Sequence, residues 1–149
     1  MNEAPPPYTQ SLLLYAYQDS ARALIATLHK RGHARIRPKH GAVFANLDKR
    51  GTRASVLAER AGMGRAAMGE LIDDLERMGY VRRALDPADR RAKLIVATES
   101  ALTVTRIVHE FNRDMEASYR RKLGNGPYES LRASLLAIAP RGRRQPRID

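Results

Sequence analysis

Apolar positions along the chain recur mostly at helical spacing, and in one place the pattern changes to short strands. From Arg65 to Arg77, the residues Met68, Leu71, Ile72 and Leu75 fall at i, i+3, i+4 and i+7. That spacing sets one apolar stripe against a core. The opposite face of the first turn carries Arg65, Ala66, Gly69 and Glu70, so the front of this helix has little bulk. Gly79 stops it. Tyr80 to Leu85 and Ala92 to Ala97 then read as two strands, joined by Asp86-Pro87-Ala88-Asp89-Arg90-Arg91.

Helical spacing continues on both sides. Leu14, Tyr17, Ala21, Leu24, Ile25 and Leu28 predict a first helix to about Lys30, capped by Thr9 or Ser11 and ended by Gly32. The preceding Met1 to Tyr8, with Pro5-Pro6-Pro7, cannot begin a helix and is expected to be a loose arm. Pro38 fits the first position of a second helix carrying Val43, Phe44 and Leu47 and ending near Asp48 and Gly51. Thr52 is expected to cap a third helix through Arg60, with Val56, Leu57 and Ala61 inward, before Gly62 turns the chain towards Arg65. After the hairpin, Thr98 can cap a long helix with the stripe Val104, Ile107, Val108, Phe111, Met115 and Tyr119. Gly124-Asn125-Gly126-Pro127 breaks it. A last helix carries Tyr128, Leu131, Leu135 and Ile138, and the basic tail from Pro140 to Asp149 has nothing to bury.

Composition narrows the function. At 149 residues and 43% hydrophobic content the chain is one domain's worth with a modest core. A net charge of +11, from 27 Lys plus Arg against 16 Asp plus Glu, is too lopsided for an ordinary solvated surface. It implies a polyanionic partner, with nucleic acid ahead of an anionic membrane surface. Apolar runs fall far short of a bilayer span, and the Pro-rich start is no signal sequence, so a cytoplasmic protein is expected. The absence of cysteine excludes disulfides, thiolate ligands and thiol redox sensing. There is no glycine-rich phosphate loop. Of four histidines, His29 and His33 share a face at i, i+4 while His40 and His109 stand apart. A zinc site needs further ligands, so no metal, cofactor or catalysis is expected.

A bare-fronted helix beside a basic hairpin is the plan of a winged helix-turn-helix. Leu57-Ala58-Glu59-Arg60-Ala61-Gly62, the helix after Gly64, and above all Asp86-Pro87-Ala88-Asp89-Arg90-Arg91-Ala92-Lys93 followed by Val96-Ala97-Thr98-Glu99 resemble the MarR family of bacterial transcription regulators. The likeness runs residue by residue over about 36 to 111, and helix order extends it over nearly the whole chain. It implies a mainly α fold with a small β-hairpin wing, in which the terminal helices intertwine two subunits. The expected organisation is a flexible arm at 1–8, dimerisation helices at 9–34 and 99–139, a winged helix-turn-helix at 35–98 and a flexible basic tail at 140–149. The resemblance also implies a homodimer on double-stranded DNA, and a small, often anionic aromatic effector in a cleft that Tyr15, Tyr17, His40 and Phe44 are placed to line. His40 with His109 resembles part of a zinc site found in some members, but its remaining ligands are not evident. Four positions depart from the family pattern: Arg37 replaces a small hydroxyl residue, Glu70 a basic or hydroxyl one, Ala97 leucine and Ala101 glycine.

Residues at the first turn of a helix in a major groove decide which bases are read. Arg65 can reach a guanine edge or a phosphate, while Ala66 and Gly69 allow close approach of the backbone. Glu70 can only accept, for example from cytosine N4, or else hold a neighbouring arginine. The wing supplies Arg82, Arg83, Arg90, Arg91 and Lys93, with Arg90 or Arg91 at the tip suited to a narrow minor groove. Asp89 is expected to brace Arg91 as a bidentate pair, matching the family's Asp-x-Arg signature. The connector with Lys30, Arg31, Arg35, Arg37 and Lys39 is either a solvated loop or lies along phosphates. These readings favour a sequence-specific, ligand-responsive repressor. A non-specific architectural DNA-binding protein and a metal-responsive regulator are the alternatives.

Overall fold

The stripe Met68, Leu71, Ile72 and Leu75 is part of the core, its members between 0% and 6% exposed. The computed structural model describes residues 6–139, so most of the expected arm and the whole tail from Pro140 lie outside the described residues. The chain divides into two compact units, Met1–Pro38 and Lys39–Asp149.

The first unit is essentially one helix, α1 (Thr9–Lys30). Its N-cap is Tyr8, which makes no side-chain cap bond, so neither Thr9 nor Ser11 serves as the expected cap. Leu28 is buried near the other end, whereas Leu12, Leu13, Leu14, Tyr15 and Tyr17 stand exposed. Gly32, at φ +95°, lets the chain turn, and the His33 N–H closes on Leu28 O at 2.9 Å. Beyond it, His29 Nε2 donates to Ile36 O at 2.9 Å, and Arg37 Nη1 donates to Ala34 O at 2.7 Å.

A 3-10 turn (Pro38–His40) runs into α2 (Gly41–Phe44), which is much shorter than the helix the apolar spacing predicts. A turn replaces its last part. Gly51 (φ +94°) donates to Asp48 O, and a side chain there would strike Ile95 O and Val96 Cγ2 at 2.9 Å. Thr52 is consequently a strand residue rather than a helix cap. Its hydroxyl oxygen accepts from the Asp48 N–H at 2.8 Å, and β1 (Thr52–Arg53) pairs with the third strand.

Helix α3 (Ala54–Ala61) ends at Gly62 in the left-handed conformation, as its position implied, and leads into α4 (Arg65–Arg77). Gly79 (φ +81°) and the Tyr80 N–H to Leu75 O bond of 2.9 Å close α4, where a glycine avoids the Cβ penalty. Strands β2 (Val81–Asp86) and β3 (Asp89–Ala97) complete an antiparallel sheet of order β1-β3-β2. Thr98 occupies the N-cap position of α5 (Glu99–Leu123) but does not cap it. Its hydroxyl sits 2.7 Å from Gly79 O and 3.0 Å from Tyr80 O, tying the end of the wing to the end of α4.

Ala101, Val104 and Ile107 of α5 are buried, and the helix runs on into a hairpin with α6 (Asn125–Ile138). Tyr128 holds that hairpin, with the Arg120 guanidinium 4.4 Å over its ring and ion pairs from Arg120 to Glu129 and Arg132 to Glu116. Leu131, Leu135, Leu136 and Ile138 of α6 remain exposed.

One polar cluster enters the core behind α4. His40 is 1% exposed, and its Nε2 donates to Asp74 Oδ2 at 3.0 Å, with Lys39 Nζ at 3.2 Å from the same oxygen. The hydrogen bond from His40, then that from Lys39, holds the Asp74 carboxyl below the usual carboxylate range. A depressed folded-state pKa stabilises the fold above the unfolded carboxylate value, and this contribution fades as pH falls through the folded one. Urea unfolding is therefore expected to show stability dropping below about pH 4, and Asp74→Asn should flatten that acid limb. Leu75→Ala should cost about 2–5 kcal/mol in the same measurement at neutral pH, and Leu75→Asp should abolish the cooperative transition, because it buries an unpaired charge.

Candidate nucleic-acid interface

The front of α4 is as bare as its sequence suggested. Arg65, Ala66, Ala67 and Glu70 are exposed and Gly69 is half-buried, while Met68 between them is fully buried. A methyl group added at Gly69 would meet nothing within 4 Å. No packing inside the chain therefore demands glycine there, although glycine in a helix interior costs roughly 0.5–1 kcal/mol relative to alanine.

The hairpin differs from expectation. Its strands run further towards the tip, leaving only Pro87 and Ala88 between them, so Arg90 and Arg91 belong to β3 and not to a loop. The register is broken there. Leu85 pairs with Lys93, yet the next residue, Asp86, pairs with Asp89, which sets Arg90, Arg91 and Ala92 out of the ladder as a knuckle. Bulges of this kind re-aim side chains, and here Arg90 and Arg91 are both exposed.

The arginines fall into two groups. Arg83 is committed: it is ion-paired to Glu76 and lies 2.6 Å from Asp73, both on α4, and its backbone N–H donates to Glu76 Oε1 at 3.0 Å. The Asp73 bond, with Glu76 beyond it, holds the guanidinium still more firmly protonated. Arg83 therefore fastens β2 to the back half of α4. By contrast Arg65, Arg82, Arg90, Arg91 and Lys93 are exposed and have no acidic partner among the described residues.

Asp89 does not brace Arg91 as its sequence neighbourhood implied. Its Oδ1 accepts the Arg91 backbone N–H at 3.1 Å, and its Oδ2 lies 3.6 Å from Arg53. Asp86 is the main acidic residue of the wing: Oδ2 accepts from Arg53 at 2.8 and 2.6 Å and Oδ1 from the Ala88 N–H at 2.9 Å. The Ala88 amide first, then Arg53, hold its carboxyl below the usual range. Sequence reasoning missed Arg53. The signal available was an arginine directly before a helix, where a small hydroxyl or amide side chain is favoured.

Of the connector residues, Lys39 is occupied by Asp74, and Arg37 donates to Ala34 O and Ile36 O. Tyr15 and Tyr17 lie exposed on α1, His40 is sealed against Asp74, and Phe44 packs edge-on to Tyr80 at 6.0 Å between ring centroids. An open cleft of about 500 Å³ is lined by other residues, including Leu47, Lys49, Ala97, Leu102, Arg106 and His109. Among the described residues no three His, Asp or Glu side chains are grouped to hold a metal, and no helix is long and apolar enough to cross a membrane.

A model of the MarR family matches residues 36–92, the segment from Ile36 through the helix-turn-helix to the knuckle. No curated protein matches the chain in sequence. Among solved structures it is similar to the reduced form of MarR from E. coli, at 19% identity and a TM-score of 0.71, covering 93% of this chain and 100% of that one. The S. aureus MepR–DNA complex is similar at 16% identity and a TM-score of 0.70, covering 89% and 97%. A transcriptional regulator from Thermotoga maritima shares 22% identity and a TM-score of 0.60, covering 87% and 89%. Residues 36–92 thus match the MarR family model, and the described residues share the winged helix-turn-helix fold of these solved structures.

Proposed function

We propose that the chain is a DNA-binding transcriptional regulator, and within that role a homodimeric, sequence-specific repressor that is released from its operator by a small ligand. The observation that carries the DNA reading is the sorting of cations: those that hold the fold are paired, whereas Arg65 on α4 and Arg82, Arg90, Arg91 and Lys93 on the wing have no acidic partner among the described residues. Unpaired cations on so short a ribbon repel one another until an anion meets them. A solved relative, MepR, has been captured with DNA, which supports duplex DNA as that anion. In this reading the front of α4 enters a major groove, with Arg65 and Glu70 at base edges and Ala66 and Gly69 admitting the backbone. The knuckle, with Arg90 and Arg91, follows the adjacent minor groove.

Two exposed apolar faces support the homodimer: Leu12, Leu13, Leu14, Tyr15 and Tyr17 on α1, and Leu131, Leu135, Leu136 and Ile138 on α6. Faces of this kind mark association surfaces in soluble proteins. The cleft beside α5 supports an effector with an apolar body and an anionic group, since Leu47, Ala97 and Leu102 stand beside Lys49 and Arg106, while the carboxylate of Asp48, which also lines it, is paired with Arg60.

Selection of bound fragments from randomised duplex DNA tests the reading. A pseudo-palindrome with half-sites about 10 base pairs apart is expected, and recovery of all sequences alike would leave a non-specific architectural protein. On the selected site Arg91→Ala should weaken binding by about 1–3 kcal/mol, while Glu70→Ala should change the preferred bases more than the affinity. Gly69→Ala should raise thermal stability, by about 0.5–1 kcal/mol, yet weaken binding to the same DNA in titrations. Gains in both would remove Gly69 from the interface.

A further inference from the structure

Arg53 occupies the N-cap of α3 and makes no cap bond. Serine, threonine, aspartate and asparagine are favoured at that position because their side chains accept an otherwise orphaned helix N–H. The backbone of Arg53 ends β1, opposite Leu94 of β3. Its side chain runs to the foot of the wing instead, where Nε and Nη2 donate to Asp86 Oδ2 at 2.8 and 2.6 Å and Nη2 lies 3.6 Å from Asp89 Oδ2. Asp86 and Asp89 are the paired residues on either side of Pro87-Ala88, immediately before the point where Arg90, Arg91 and Ala92 leave the ladder. Asp86 is itself 7% exposed.

We propose that Arg53 is a positioning residue for the wing: it forgoes capping α3 in order to fasten the foot of the arginine knuckle to the helix-turn-helix. A bulged segment has given up ladder hydrogen bonds and is loosely held unless something else fixes its ends. Two N–H groups of one rigid guanidinium on a single, largely buried carboxylate fix it, which the point charge of a lysine cannot do equally well. The same contact offsets one of the two negative charges that Asp86 and Asp89 place beside Arg90 and Arg91. The proposal rests on the reading of the wing as a DNA contact, and it has a consequence in the protein alone.

Three variants separate positioning from a plain phosphate contact by Arg53, which is partly exposed. Arg53→Ser supplies a cap hydroxyl while removing the tether. Asp86→Asn keeps the Arg53 cation and deletes a negative charge, and Arg53→Lys keeps the charge without the fork. Hydrogen exchange of the free protein and titration with a mixed-sequence duplex of about 30 base pairs, some three helical turns, are the readouts. Arg53→Ser is expected to show amides of the knuckle exchanging at least about tenfold faster, with duplex affinity about tenfold lower. Arg53→Lys should fall between, and Asp86→Asn should also weaken binding despite its gain in net positive charge. Unchanged exchange in Arg53→Ser, or binding by Asp86→Asn as tight as the parent's, would overturn the proposal. Should the parent itself fail to bind duplex DNA, the functional reading falls, and the exchange data still decide whether Arg53 holds the wing.

Discussion

A helix that leaves one face bare must be held entirely by the other, and α4 is only 13 residues long. Its rear is therefore used twice. Met68, Leu71, Ile72 and Leu75 seal it to the core, and the acidic residues of its last two turns, Asp73, Asp74 and Glu76, take bonds from Arg83 of the wing and from Lys39 and His40 ahead of α2. Side-chain pairs exposed on a surface contribute little singly. Here they matter because they converge on one element from two directions, which fixes α4 relative to the hairpin that follows it.

Much of this was legible in the residues, and the gaps have physical causes. The α4 stripe, Gly62 and Gly79 as helix ends, and the hairpin itself follow from spacing and glycine conformation alone. Three expected caps, Thr9 or Ser11, Thr52 and Thr98, were not realised. Propensity marks a hydroxyl as useful near a helix start, but β-pairing drew Thr52 into a strand, and backbone carbonyls at the end of α4 drew the hydroxyl of Thr98. Likewise, Asp89 and Arg91 are neighbours in a motif, yet the guanidinium that reaches the wing carboxylates comes from Arg53, more than thirty residues away in sequence. Sequence spacing cannot reveal such a partner.

The same sorting separates the arginines by role. Thirteen positions from Arg82 to Leu94 contain five basic side chains, a density that composition alone assigns wholesale to DNA. Tertiary geometry withdraws Arg83 from that group and leaves Arg82, Arg90, Arg91 and Lys93 as the exposed charge. Internal acids thus decide which cations remain for a partner. The knuckle sharpens the effect, because the broken register concentrates two of those cations where the strands have stopped pairing.

Hydroxyl-radical footprinting, which reports sugars along the minor groove, together with dimethyl sulfate footprinting, which reports guanine N7 in the major groove, on DNA that the purified chain selects tests most directly whether helix and wing engage the duplex as one unit. Two protected sets are expected on one face of the duplex, about one helical turn apart, each comprising a major-groove patch with minor-groove protection beside it that disappears in Arg90→Ala/Arg91→Ala. Uniform protection along the fragment, or minor-groove protection that persists in that variant, would contradict the account.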